Sequence, residues 1–448
     1  MGNLSEFETY LRHLCEALGH TDRNVGLKDY CRGLMLPIKG KSIEPLPAHT
    51  DPRHVAAKHQ SLHRFVAKSS WSDAAVLSRV GDWVLPTLGI LSGSYWIIDD
   101  TGFPKKGKHS TGVARQYCGQ LGKQDNCQVA VSLSLASEQG SIPIAYPLYL
   151  PKDWAADPVG RKAAGVPADV TFKTKPAIAA GVPKGVVLAD AGYGDKTAFR
   201  DDITELDMLH SVGMRPATTV GAPGTAPLPP KPWSGRGIRP TRRRREPGCE
   251  PLAVKTLAMQ LPAEAYRTVS WREGSNTELS SRFATVRVRP VHRHYLSAEL
   301  RTQEWLIIEW PEDEPEPIKY FLSTGPADAS PEQRVFVTKM RWRIERDYQD
   351  LKQEFGLSHY EGRGWQGFHH HATLCIAAYG FLIAQRLRYG GFKKNFAQPK
   401  KPALPEDYIP RGNRSGAATC AGLDYDAAIS HRPGNHQPTS TMSVLLGG

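Results

Sequence analysis

Cysteine is scarce in this sequence of 448 residues, and none of it falls in a spacing that chemistry would need. The seven cysteines, Cys15, Cys31, Cys118, Cys127, Cys249, Cys375 and Cys420, include no C-x-x-C pair. An odd, scattered set argues against a disulfide framework and against a structural zinc site. A reducing, cytoplasmic setting is therefore expected. No apolar run approaches the length of a membrane span, so none is expected. The opening MGNLSEFETYLRHL lacks a basic-then-apolar export pattern, and Glu6 stands where a myristoylation signal needs Ser or Thr. Acid is in deficit: 45 Asp and Glu face 57 Lys and Arg, a formal net charge of +12. That surplus suits a polyanionic partner, and it equally suits plain solubility. No internal repeat is present. With 40% hydrophobic residues at this length, two to four domains and at least one sizeable core are expected.

Residues 1–90 read as a helical N-terminal domain suited to DNA binding. FETYLRHLCEALG and VAAKHQSLHRFVAKSSW carry apolar positions three to four apart. Ser72 before Asp73-Ala74-Ala75 reads as a helix N-cap. Residues 91–218 change to a strand-rich pattern. SYWIIDD is a short aromatic and β-branched strand, followed by the basic turn GFPKKGK. Residues 126–136 and 141–150 pair as a hairpin around Glu138-Gln139-Gly140, with Pro143 and Pro147 placing the second strand at an edge. DVTFKTKPAIAAG reads as a helix, GVVLAD (185–190) as a buried strand, DKTAFRDDITEL as a helix and 208–216 as a strand.

Residues 219–325 read as a separate β-rich insertion outside that core. Pro and Gly crowd its start, Arg242 to Arg245 form a basic run, and YRTVSW, FATVRVRPV, EWLIIEW and IKYFLS are strand-like. Helical periodicity returns at 331–356 and in GFHHHATLCIAAYGFLIAQRLR, so 326–390 closes the core. The stretch 391–448 has the composition of a mostly disordered tail.

Two strands end in acids, Asp100 and Asp190, and sites in sheets with helical crossovers gather at strand ends. On the helix over 331–356, Arg341, Glu345 and Lys352 share one stripe. Ile344, Tyr348, Leu351 and Phe355 form the apolar stripe beside it, which leaves Glu345 at a rim. Each acid alone is explained by a turn or by a helical charge pair. Three acids on elements that converge at one sheet suit Mg²⁺, which wants hard oxygen ligands.

The pieces IIDDTGFPKKGKHS, VVLADAGYGD and RWRIERDYQDLKQEFG together resemble DDE transposases of bacterial insertion sequences. The resemblance implies an α/β, RNase H-like mixed-sheet catalytic core carrying the helical N-terminal domain and the β-rich insertion. The last piece is similar to a Y-x2-R-x3-E-x6-K signature, with Arg341, Glu345 and Lys352 in register and Thr338 in place of the tyrosine. The family's tyrosine contacts a phosphate near the cleaved end, so Thr338 puts that contact in question.

Asp100, Asp190 and Glu345 are then the implied catalytic and metal-binding residues, holding two Mg²⁺ or Mn²⁺ ions. Arg341 and Lys352 are implied phosphate ligands, and Lys105, Lys106 and Lys108 follow the first acid closely enough to bind DNA too. Asp99 is the alternative first acid, because neighbours on a strand point to opposite faces. Asp100 is preferred because it precedes Thr101, as in similar D-T motifs. The implied activity is cut-and-paste transposition. Cleavage at the element's ends leaves a 3′-hydroxyl, which attacks target DNA or the opposite strand. Double-stranded DNA and a homodimer bridging two ends are the implied partners. A stand-alone nuclease on the same core and a non-catalytic DNA-binding derivative are the alternatives.

His369, His370 and His371 splay about 100° apart on a helix and cannot chelate one ion, so a structural or DNA-facing role is expected. Arg242 to Arg245 suit either phosphate contacts or a solvated loop. Trp233, Trp271, Trp305 and Trp310 suit the core, with one available to stack on a flipped base as in similar transposases.

Overall fold

A computed structural model describes residues 2–90, 94–168, 185–221, 227–244, 250–273, 278–291 and 301–389, with isolated positions between them. The expected tail at 391–448 lies outside the described residues, as do Arg245, Cys249 and nearly all of the helix expected at 169–181.

Five helices open the chain: α1 (Gly2–Cys15), α2 (Asp22–Leu34), α3 (Leu46–Thr50), α4 (Val55–Ala67) and α5 (Asp73–Val84). Ser72 caps α5 as expected, its hydroxyl accepting from Ala75 N at 3.1 Å. Strands β1 (Tyr95–Pro104), β2 (Ala114–Cys118), β3 (Lys123–Ala136) and β4 (Ser141–Ala145) follow. Short helices α6 (Lys152–Ala156) and α7 (Pro158–Ala164) precede β5 (Val186–Ala189), α8 (Ala191–Gly194), α9 (Thr197–Glu205) and β6 (Leu209–Met214). Then come β7 (Thr219–Gly221), β8 (Leu252–Ala253), α10 (Val254–Gln260), β9 (Arg267–Glu273), β10 (Glu278–Pro290), β11 (Glu304–Trp310) and β12 (Lys319–Ser323). Helices α11 (Pro331–Lys339), α12 (Trp342–Gln353) and α13 (Trp365–Tyr389) end the described chain.

The core is mixed in the RNase H-like manner. β1 lies at the centre, antiparallel to β3 and parallel to β5, and β5 runs parallel to β6. β2 and β4 both pair along the outer side of β3, so the proline-bearing β4 is an edge strand as expected. The run YWII forms β1 because it can be buried on both faces, and all four residues are buried. β1 also runs further than the sequence suggests, through Thr101-Gly102-Phe103 to Pro104.

The strands read as an insertion do not lie outside this sheet. β12 pairs antiparallel with β6, from Tyr320↔Met214 to Ser323↔Ser211, and β11 and β10 continue outward. Without β12, β6 would present a row of unpaired backbone groups, which sheets tend to cover.

The helix expected over 331–356 is two helices. Ser330 and Gln333 form a capping box at the start of α11, and the axis breaks at Met340-Arg341 before α12. The N-terminal helices are not set apart either: they share one apolar cluster with α13 and the sheet. The Tyr10 hydroxyl donates to Ala377 O at 2.8 Å, and that of Tyr30 shares a hydrogen bond with His371 Nδ1 at 2.8 Å. No helix among the described residues is long and apolar enough to cross a membrane.

Candidate active site

The last paired residues of β1 and β5 are Ile98 and Ala189, so Asp99 and Asp190 come next, where the parallel pairing ends; β5 stops there while β1 runs on along β3. Pleating decides which way each side chain points. Asp99 lies opposite Ser132 on β3, and the Ser132 hydroxyl hydrogen-bonds Tyr348 Oη of α12 at 2.7 Å. Further down the same face, Tyr95, Ile97, Val186 and Leu188 pack on Val337, Met340 and Ile344. Alternation continues that face to Asp99 and Asp190, beneath the helix that carries Glu345.

Asp100 falls on the other face, where its carboxylate accepts a hydrogen bond from the Tyr193 hydroxyl of α8. The pleat therefore sets Asp100 on the opposite face from Asp190 and Glu345, and Asp99, the alternative first acid, on theirs.

Arg341 sits among the three acids. Its Nη2 is 3.1 Å from Asp99 Oδ2 and its Nη1 is 3.4 Å from Glu345 Oε1. Burial works to lower the Arg341 pKa, but Asp99, Asp190 and Glu345 together hold it above its ordinary value. Asp99 is pushed up to about 6, chiefly by burial, with Arg341 opposing and Asp190 adding to the rise. Asp190 caps α8, its carboxylate accepting from Tyr193 N at 3.3 Å. Glu345 is in the first turn of α12, and its side chain is 71% exposed. Among the described residues, no three His, Cys, Asp or Glu side chains already form one ligating group; Glu345 is turned to Arg341.

The other expected DNA contacts divide by burial. Lys106 and Lys108 are exposed on the turn after β1. Lys105 instead donates to Tyr360 O at 2.7 Å, and burial lowers its pKa, so its ammonium is engaged inside the fold. Lys352 is partly buried, with Nζ 3.3 Å from Gly102 O and 5.2 Å from the Phe103 ring centre, and burial lowers its pKa. Thr338 is buried and hydrogen-bonds Ser211 Oγ at 2.7 Å, so its hydroxyl is engaged inside the fold.

The three histidines are structural. All are buried, and each ring meets protein partners: His369 with Trp365 O and Leu148 N, His370 with Val66 O and Trp71 O, His371 with Tyr30 Oη and Gly356 O. Arg242 and Arg244 are exposed. Trp271, Trp305 and Trp310 are packed against neighbours, while Trp233 is 52% exposed. Sequence reasoning missed Tyr193 and Ser132. The tyrosine of DAGYGD was an available cue, whereas Ser132 is recognisable only from strand register.

An RNase H-like sheet with carboxylates where two adjacent strands end their parallel pairing defines a nuclease-type core. The sequence matches the DDE superfamily endonuclease family over residues 13–278, more than half of the chain, and the chain belongs to that family. The match takes in Asp99, Asp100 and Asp190 and stops before α12. A curated relative from Microchaete diplosiphon, described as a probable transposase for insertion sequence element IS701, is 32% identical over 168 residues. That alignment covers 35% of this chain and 40% of the relative's length.

Proposed function

We propose that the chain is a DNA transposase that cuts at the ends of a mobile element by a cut-and-paste mechanism, using Asp99, Asp190 and Glu345. The observation that carries this reading is one shared face: two aspartates where the parallel pairing of β1 and β5 ends, under a helix bearing the glutamate. Kinship with the DDE endonucleases and the transposase description of the relative support it.

The donor set fits a pair of Mg²⁺ or Mn²⁺ ions. All three groups are hard oxygen donors, and two adjoining carboxylates, one only 13% exposed, make a site whose charge a divalent ion can balance once Arg341 turns away. When bound, such ions activate a water and stabilise the leaving oxygen of a phosphodiester. The remaining work falls to the chain. Asp99 is steadied by accepting from Asp100 N at 2.9 Å, and Asp190 by capping α8. Arg341 occupies Asp99 and Glu345 in DNA-free protein, and it exchanges these partners for a phosphate when the substrate arrives. Lys106 and Lys108 grip the backbone of double-stranded DNA without reading its sequence. A homodimer holding two ends belongs to the same reading.

Glu345→Gln tests it. Cleavage with Mg²⁺ on DNA carrying the element's own ends should fall at least a hundredfold, roughly the loss expected for a ligand to catalytic metal. Binding of the same DNA should persist with its salt dependence. Full cleavage by the variant would remove Glu345 from the site. Loss of binding and cleavage together would mean that Glu345 holds the fold.

A further inference from the structure

We infer that Asp100 and Tyr193 form a positioning pair that fixes Asp190 against β1; this rests on reading Asp99, Asp190 and Glu345 as a metal centre. Tyr193 touches both strand ends at once. Its backbone N donates to Asp190 Oδ1 at 3.3 Å, and its hydroxyl donates to the Asp100 carboxylate. The ring between these contacts is buried, 5% exposed, and packs on Phe199 with ring centres 5.5 Å apart.

The turn carrying Tyr193 has little freedom. A Cβ on Gly194 would stand 2.0 Å from Gly213 O, so α8 lies flush on β6. The contacts of α8 include the Asp190 cap, the close approach to the β6 backbone and the hydroxyl bond to Asp100. The last of these joins α8 to β1, the strand that carries Asp99.

That link opposes a repulsion. Asp99 and Asp190 are like acids on adjacent strands, one position beyond the last β1–β5 pair. The tie runs on the far face of the sheet, where it cannot obstruct the acids. Toward a carboxylate, which only accepts, the Tyr193 hydroxyl is the donor. The adjacent aspartates thus divide the work: Asp99 faces the cation and Asp100 holds the geometry.

Mn²⁺ titrated into the full chain without DNA, with free Mn²⁺ followed by electron paramagnetic resonance, tests this directly. Tyr193→Phe and Asp100→Ala should each weaken Mn²⁺ binding about tenfold, as losing an outer partner of a metal ligand does. The double variant should be no weaker than either single, because the two residues act as one unit. Asp100→Asn keeps an acceptor oxygen and should lose about threefold or less. Tyr10→Phe, a buried tyrosine remote from the site, should leave affinity unchanged and controls for packing. Wild-type affinity in both single variants, or losses that multiply in the double, overturns the pair. Asp99→Asn separates the two levels. If it abolishes Mn²⁺ binding while Tyr193→Phe does not weaken it, the pair alone is overturned. If Asp99→Asn binds normally, the metal-centre reading fails, and the pair with it.

Discussion

Two buried aspartates shape this molecule's response to pH. Asp347, hydrogen-bonded by Ser141 and Tyr379 at 2.7 and 2.8 Å, is pushed up to about 6 by burial, as Asp99 is. Each binds its proton more tightly folded than unfolded. Between the ordinary aspartate value and about 6, the folded state therefore holds more protons, and stability falls as pH rises through that window. Above it the loss is complete and level. Asp347→Asn should remove its share, roughly 3 kcal/mol between pH 4 and pH 7. Urea unfolding at the two pH values checks this, and an unchanged difference would place the charge elsewhere. Arg341 gives a second expectation at this scale. Arg341→Ala removes the cation that competes for Asp99 and Glu345, so DNA-free protein should bind Mn²⁺ more tightly while cleaving more slowly. Weaker Mn²⁺ binding would show that Arg341 assembles the acids rather than screening them. The choice between Asp99 and Asp100 was not legible in the sequence, because the preceding YWII is buried on both faces and offers no alternation to set parity. The pair itself, and Asp190 and Glu345, were legible as acids at strand ends and on a helix rim.

At the scale of elements, α11 is fastened to the outer strands by stacked cations. Lys339 Nζ lies 4.1 Å from the Trp271 ring centre and 2.6 Å from Glu309 Oε1, while Arg334 lies 3.5 Å from the Trp305 ring centre. Arg272 of β9 lies 4.0 Å from the ring centre of Trp342, next to Arg341. Lys339→Ala would leave Glu309, 4% exposed, without its charge partner. It should cost about 3–5 kcal/mol, read from chemical denaturation, and Lys339→Met with Glu309→Leu should recover much of that loss. A cost below about 1 kcal/mol would mean the pair is hydrated like a surface bridge. The strands β9 to β12 were legible from their own residues. Their union with the core sheet was not, since the Tyr320↔Met214 pairing joins segments about a hundred positions apart and no local pattern encodes it. The break at Met340-Arg341 was hidden for the opposite reason: apolar spacing runs through it unbroken.

The whole molecule folds around α13. His369, His370 and His371 bond to three different regions, among them Val66, Trp71 and Tyr30 of the N-terminal helices. A chain starting at residue 91 would expose α13, whose residues from Gly367 to Phe381 are all buried, and should not unfold cooperatively. A sharp, reversible transition in that fragment would restore the separable N-terminal domain that sequence composition suggests. The surplus charge of +12 suits a chain that meets DNA over a broad surface, with Lys106 and Lys108 exposed on the turn after β1.

On the proposed reading Asp99, Asp190 and Glu345, far apart in sequence, surround one two-ion centre. Iron-directed cleavage of the polypeptide examines that arrangement without DNA: Fe²⁺ replaces Mg²⁺, ascorbate and peroxide generate hydroxyl radical at the bound ion, and mass spectrometry locates the cuts. The expected result is three groups of cuts, within a few residues of 99, 190 and 345, all suppressed by excess Mg²⁺. Cuts confined to other segments, or cuts at these three that Mg²⁺ does not suppress, would contradict it.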